Sequence, residues 1–553
     1  MRTRMLPGLV LLCLAALPWP ARAEDDKPST PGFILRTKSV DGLMDDFKYL
    51  AELSDKQNEF QQFQDLLKGP VGNKSPFEGI DTKKPLAVYG QIGAGLADSQ
   101  VVVMVPVSDE KSFLALLQRV QITAEKDKDG VYKASSDGLA AAGQMLYFRL
   151  ANNYAYVTVN DVKNIAKDKL LLPAQVLPTD KQTSLSLVVR LDQIPAELKQ
   201  IVLGQFELQL GNAKDKQPGE TEAAHLFRTA MLDETAVQLK SVLVDGQDLS
   251  VNLDVDRKTE ELTLNANLTA KSGSKLATTI ADIGKAKSVA SSLIGSDVAL
   301  NSDAALNVLV HAMPSENFRK ALEPAVDAAF KQTLEEEKDK GKRAIANKFF
   351  KLLEPSYKSG ELDAGGSLRG PNANGLFVGV GAIKVKDGLA LEKAVKDLVK
   401  DAPAEEKKEV DLDFDKVKGV NIHRIRPGKD YSDEARKAFG ENPVYVAFRE
   451  DAVFLSLGEG GLTAIKDAIT AEPKAGKAME MDLAMGRLAR ILGKDQEDAI
   501  AAAKKAFAKA KTGDRLSITL EGGKSLKFHG GMKAQLVTFF TLVSEAKNKG
   551  ESK

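Results

Sequence analysis

The sequence predicts an α+β protein made of repeated strand–helix–hairpin modules, with mostly antiparallel sheets covered by helices. Three observations predict it. Short apolar strands lead into amphipathic helices, paired strands are separated by two-residue turns, and both features recur in the same order in the two halves of the chain.

The chain opens on a basic segment, Met1–Arg4, followed by an apolar run, Leu6–Leu17, and a Pro18–Pro20 break. Ala21 and Ala23 then supply small residues at the two positions a leader peptidase pocket admits, with Glu24 next. Basic, apolar and small in that order is the pattern of a cleavable secretory signal peptide, so residues 1–23 are expected to be removed and the protein to be periplasmic or secreted. The apolar run is well short of the ~20 residues that span a bilayer. Cys13 follows Leu12, where a lipoprotein signal carries a small residue, so lipidation is not expected.

Cleavage changes the composition. Cys13 is the only cysteine and Trp19 the only tryptophan, so the mature chain has neither. Disulfides and thiol chemistry are thereby excluded, and stability must come from a packed core. Removing Arg2, Arg4 and Arg22 leaves 74 basic against 77 acidic residues, a net charge of −3. That balance argues against a dedicated nucleic-acid partner. No second apolar run is long enough for a transmembrane helix.

The modules follow in order. Phe33–Val40 reads as a strand, with a helix beyond Asp41. Val101–Val107 reads as a buried strand, and Ser108 and Asp109 cap a helix that carries Phe113, Leu116 and Leu117 on one face. Gln144–Arg149 and Tyr154–Val159 flank Asn152 and Asn153 and form a hairpin. Leu185–Leu191 is another strand before a helix, and Glu220–Leu232 is helical. Val237–Val244, Leu249–Asp256 and Glu261–Thr269 read as an antiparallel meander turning at Asp245–Gly246.

The second half repeats the order. Ala304–Val310 leads into a long helical stretch, Ser315–Leu353, whose charged segment Glu335–Arg343 reads as solvated surface or a turn. Leu376–Val385 leads through Asp387 into Leu389–Leu398, so Asp387 and Asp109 hold equivalent places. Val444–Arg449 and Ala452–Leu457 form the second hairpin, and Phe–Arg closes the first strand of each pair. Met479–Leu483, the Arg515–Glu521 and Ser525–His529 pair, and a C-terminal helix over Met532–Ala546 complete the chain. The expected division is 24–285 and 286–553, two divergent copies with the main boundary near Lys285–Ser296.

The search for chemistry is largely negative. His225, His311, His423 and His529 fall in no metal-binding spacing, and no serine-hydrolase elbow stands at a strand–helix junction. His423 lies on an alternating strand and is expected to be a polar position on a wet face. The Gly90–Gly95 glycines are in the wrong order for a dinucleotide fingerprint. Gly458–Gly461 precedes a helix, but no lysine follows in P-loop register. Asp411, Asp413 and Asp415 copy half of an EF-hand loop, yet Lys416 replaces the glycine and Ile422 the bidentate glutamate, so a wet strand surface is expected. Asp254 and Asp256 take the same reading. No catalytic residue, metal site or cofactor is assigned from the sequence.

The strand–Asp–helix units, the Phe–Arg hairpins and the export signal together resemble large secreted bacterial proteins of unknown function, as found among planctomycetes. That resemblance implies a repeated α+β architecture and an extracytoplasmic location, and it brings no catalytic residues. The leading expectation is a non-catalytic binding or scaffold protein with an unidentified ligand or partner. One alternative is a carrier of a lipid or other apolar ligand, since antiparallel sheets closed by amphipathic helices can enclose apolar space. The other is a hydrolase with a carboxylate-based site drawn from Asp411, Asp413 or Asp254 with His423. Expressed in a host with a secretory pathway, the mature protein is expected to begin at Glu24 on N-terminal sequencing. An N-terminus at Met1 would contradict the signal peptide.

Overall fold

The computed structural model describes residues 30–68, 76–94, 99–177, 183–294, 303–338, 340–428, 431–491, 496–508 and 513–551. The signal segment, with Ala21, Ala23 and Glu24, lies outside the described residues. The fold is α+β, with antiparallel sheets and numerous helices. Two compact units divide it: the residues up to Val202 with Leu243–Lys271, and Leu203–Val242 with those from Ser272 onward.

Ten strands make the sheet of the first unit: β1 (Phe33–Ser39), β2 (Pro85–Gln91), β3 (Gln100–Pro106), β4 (Thr123–Lys126), β5 (Val131–Ser135), β6 (Leu146–Ala151), β7 (Tyr154–Val159), β8 (Leu185–Arg190), β9 (Gly246–Asp256) and β10 (Glu261–Ala270). Their order is β10-β9-β8-β1-β2-β3-β7-β6-β5-β4, and each neighbouring pair is antiparallel. The second unit holds a two-residue pair, β11 (Lys287–Ser288) and β19 (Lys474–Ala475), and a larger sheet. The larger sheet contains β12 (Ala304–Ala312), β13 (Leu362–Arg369), β14 (Val378–Lys384), β15 (Val410–Val417), β16 (Val420–Ile425), β17 (Val444–Arg449), β18 (Ala452–Gly458), β20 (Lys477–Ala484), β21 (Arg515–Glu521) and β22 (Leu526–Lys533). Here the order is β22-β21-β20-β12-β13-β14-β18-β17-β16-β15, again antiparallel throughout. The two orders coincide when β1 is matched to β12, β2–β7 to β13–β18, and β8–β10 to β20–β22.

Local chemistry explains the matched elements. After β3, Asp109 caps the Glu110–Arg119 helix by accepting the Ser112 N–H at 2.8 Å. After β14, Asp387 caps the Gly388–Asp401 helix by accepting the Ala390 N–H at 2.9 Å. Each cap satisfies one of the N–H groups that the first helical turn leaves unpaired. Between β6 and β7, Asn152 and Asn153 both adopt positive φ (52° and 62°), the conformation a two-residue hairpin turn demands.

Elsewhere the tertiary structure departs from the local reading. Ala304–Val310 in β12 stands at the place that Phe33–Ser39 holds in the first unit and not at that of Leu185–Leu191, whose place Met479–Leu483 within β20 does hold. Alternation shows that a segment is a strand but not which strand it pairs with. Val237–Val244 is the end of a helix, Glu222–Asp245, and the chain enters β9 directly at Gly246. Its apolar residues satisfy a helical spacing as well as an alternating one. The Ser315–Leu353 stretch is two helices, Glu316–Glu336 and Lys340–Lys358.

The cores sit where helices cover the sheets. In the first unit, Tyr89, Met104 and Tyr156 pack with Ile165 and Val176, and Phe113 and Leu117 pack on Phe148 and Val157. In the second, the Gly461–Thr470 helix sets Ile465 and Ile469 against Ile422, Ala447 and Phe454. Ile465 is fully buried. Its replacement by alanine is expected to destabilise the second unit by about 2–5 kcal/mol, seen as a lower urea midpoint; a loss under 1 kcal/mol would contradict this packing.

Candidate functional site

Two buried histidines sit beside carboxylates, both in the second unit. The strand β16 carries His423, and the helix it faces, Gly388–Asp401, carries Glu392 and Lys396. His423 is 2% exposed rather than on a wet face, because that side of β16 is covered by the helix. Its Nδ1 accepts the Asp413 N–H at 3.0 Å, so the neutral ring carries its proton on Nε2, which lies 3.3 Å from Glu392 Oε1. That contact is close but off the hydrogen-bond axis, leaving Nε2 without a well-aligned acceptor. Lys396 Nζ bridges Glu392 at 2.8 Å and Asp413 at 2.7 Å. Burial pushes the Glu392 carboxyl up, but Lys396, Asn421 and His423 outweigh it and hold the group below its ordinary value.

The second cluster joins β12, β13 and β14. His311 Nε2 lies 3.2 Å from Glu361 Oε1, and Lys384 Nζ is 2.6 Å from the same oxygen. Asp363, 1% exposed, accepts from the Ser288 hydroxyl at 2.5 Å and the Val289 N–H at 2.8 Å. In each cluster one histidine and two carboxylates come within 4.8 Å of one another, a spacing that suits a metal ion. A lysine ammonium already holds the cation position in both. At His423 a metal on Nε2 would also force the ring proton onto Nδ1, against the Asp413 N–H. These clusters read as charge-compensated links between helix and strand, with the histidines closed to substrate.

The aspartates of β15 separate instead of sharing one face. The register shifts between Asp411 and Asp415, and Asp413 takes a left-handed φ of 53°. Asp411 pairs with Arg424 and Arg426, Asp413 with Lys396, and Asp415 with Lys466. Of the residues considered for a carboxylate-based hydrolase, only Asp413 approaches His423, 4.0 Å from Nδ1. Asp254, in the first unit, accepts from the Ser184 N–H and belongs to a buried network with Asp46 and Lys38. Glu392, Lys396 and Glu361 were not singled out from the sequence. The i,i+4 spacing of Glu392 and Lys396 was visible, but nothing local ties it to His423.

The most unusual geometry lies in the sheet faces. Along β12 the side containing Asn307, Leu309 and His311 is buried, while Leu306, Val308 and Val310 on the other side are half-exposed. Along β18, Ser456 is fully buried and Leu455 is 45% exposed. On β8, Ser186 is buried and its neighbour Leu185 is exposed. Registers extend this outward side across strands. Leu185 faces Leu253 and Leu253 faces Leu264; Leu187 faces Leu35 and Val251; Val189 faces Phe33 and Leu249. In the second unit, Val308 faces Met481 and Met481 faces Ile518; Val310 faces Met479 and Met479 faces Leu520. Four strands in the first unit and three in the second, about 4.8 Å apart, give patches on the order of a few hundred Å² of partly exposed apolar surface, the size of the biggest patches ordinary monomers expose.

A separate open cleft of about 360 Å³ lies between the Glu316–Glu336 and Lys340–Lys358 helices, beside the stacked Phe330 and Phe350 rings. Its rim mixes Asp327, Lys331, Arg343 and Glu354 without a convergent set.

No family model matches the chain, and no curated protein does. Among solved structures, crystal form IV of TP0453 is similar over 44% of this chain and 81% of its own, with 12% identity and a TM-score of 0.22.

Burial holds the His423 imidazole below its ordinary value, outweighing the opposite pull of Glu392 and Asp413. Between that lowered value and 6.5 the folded chain binds fewer protons than the unfolded one, so stability rises with pH and is complete above this window. The urea midpoint is therefore expected to fall between pH 7 and pH 5.5, and His423→Gln to flatten the fall. The same slope in the variant would assign it elsewhere.

Proposed function

We propose that this chain is a non-catalytic binding protein of the extracytoplasmic space and that its ligand is apolar, of the acyl-chain type. One observation carries the reading: the partly exposed leucine, valine and methionine side chains that run in register across β1, β8, β9 and β10 in the first unit and β12, β20 and β21 in the second, with Leu185, Leu253 and Leu264 about 40% exposed. Folding normally hides leucine and valine and leaves serine and asparagine wet. A sheet that leaves leucines about 40% exposed on adjacent strands keeps apolar surface available for something other than its own core. The export reading of residues 1–23 supports the location. The shared strand order and the paired caps Asp109 and Asp387 support the two units being divergent copies of one module.

The non-catalytic part rests on the histidine clusters, whose reactive groups are buried and already paired with lysine. A scaffold that binds only protein through these faces is the competing reading; apolar small-molecule binding distinguishes the two. Purified mature protein is expected to bind a fluorescent fatty acid saturably. Leu253→Asp with Leu264→Asp should abolish binding in the first unit with little change in thermal midpoint, since both side chains are already about 40% exposed. Absence of probe binding by the unaltered protein would sink the proposal. Turnover of an ester, glycoside or peptide that one point change abolishes would overturn the non-catalytic part.

A further inference from the structure

On the inward face of the first unit, a polar row crosses the sheet. Arg36 of β1 faces Ser186 of β8, Ser186 faces Asn252 of β9, and Asn252 faces Asn265 of β10. Partners in register share a face and stand about 5 Å apart, so a guanidinium, a hydroxyl and an amide line up side by side. Ser186 is 6% exposed and Arg36 is half-buried, with its Nε shielded from solvent and without a hydrogen-bond partner. Burial lowers the Arg36 guanidinium from its ordinary value, and no carboxylate among the described residues opposes that effect.

The chain's other sheltered cations have partners: buried Arg149 is held by the Ile165 and Asp129 carbonyls, and several lysines have carboxylates. Lys38 has Asp46, Lys384 has Glu361, and Lys396 has Glu392 and Asp413. The equivalent strands of the second unit show the contrast most directly. There Asp482 of β20 faces Asn307 of β12, and Arg515 binds that carboxylate at 2.7 Å. In the first unit the corresponding strand offers Ser186, and the arginine has no internal carboxylate. A half-buried guanidinium pays desolvation without the compensation its counterpart receives.

We infer that the row Arg36–Ser186–Asn252 is a binding site for the carboxylate of a small-molecule anion. A planar carboxylate accepts two parallel N–H bonds from a guanidinium, and the Ser186 hydroxyl and Asn252 amide add neutral donors along the same row. The site is independent of the apolar outward face, since the two rows of side chains point to opposite sides of the sheet.

The test uses full-length mature protein at constant ionic strength, titrated with acetate and succinate, with inorganic phosphate and chloride as separate arms. The expected result is a saturable rise in thermal midpoint with the carboxylates. Arg36→Met should abolish this rise, and Arg36→Lys should weaken binding by roughly tenfold, the loss of about one charge-assisted hydrogen bond. Arg36→Met is also expected to leave the midpoint without added anion unchanged or higher, because it removes an uncompensated cation; a purely structural arginine would lower it. A far-ultraviolet circular dichroism spectrum identical to the parent's shows that the variant folds. No carboxylate response in the unaltered protein, an equal response in Arg36→Met, or a response to phosphate alone would each overturn the assignment.

Discussion

Each unit depends on the backbone ladder through its first long strand. β1 lies between β2 and β8, and β12 between β13 and β20, so the strand made first is central and hydrogen-bonds on both sides. One side is filled by the next strand in sequence, the other only when the chain returns after more than a hundred residues. A central strand with one empty side would leave a row of unpaired N–H and C=O groups. The C-terminal strands of each unit are therefore required for closure, and the helices between are constrained to deliver them to the right edge.

Closure also decides which side chains become sheltered. With no cysteine after residue 13, no disulfide can hold strand to helix, and buried ion pairs take part in that linkage alongside apolar packing. Lys396 ties the Gly388–Asp401 helix to β15, Lys384 ties β14 to the chain entering β13, and Lys38 ties β1 to the following helix through Asp46. Such pairs add little net stability when their desolvation is counted, but losing one partner leaves a buried charge alone. They therefore favour one docking of helix on sheet over its alternatives. Arg36 differs from these lysines in that the described residues give it no opposite charge and its Nε has no hydrogen-bond partner.

Each sheet buries a few polar side chains among its apolar core and leaves some leucines and valines partly exposed, and the covering helices decide where. Where the Gly461–Thr470 helix packs on β14 and β18, the inward face is small or apolar apart from Ser456, whose hydroxyl donates to the Gly379 carbonyl. On the same side as Leu455, the residues Val446, Phe448 and Val453 are covered by the Gly388–Asp401 and Lys340–Lys358 helices, whereas Leu185, Leu253 and Leu264 in the first unit stay about 40% exposed. The buried histidine clusters, by contrast, have their charges satisfied from within.

Features set by neighbouring residues were legible in the sequence. The Asp109 and Asp387 caps depend on an N–H three residues away, and the Asn152–Asn153 turn depends on the left-handed tolerance of asparagine. The α+β class followed from such signals. What the sequence alone left undecided was everything that depends on which strand meets which. Val237–Val244 fits both helical and alternating spacing, and the surrounding chain selects the helix. His423 alternates like a wet-face residue, yet a helix arriving from β14 buries it. The Asp411–Asp415 alternation is broken by a bulge that sends its three carboxylates to different cations. By itself the sequence determined the local elements and their order, because these follow from contacts within a few residues. Only the tertiary structure decided which face of each sheet is inside, because burial is a property of partners brought from distant parts of the chain.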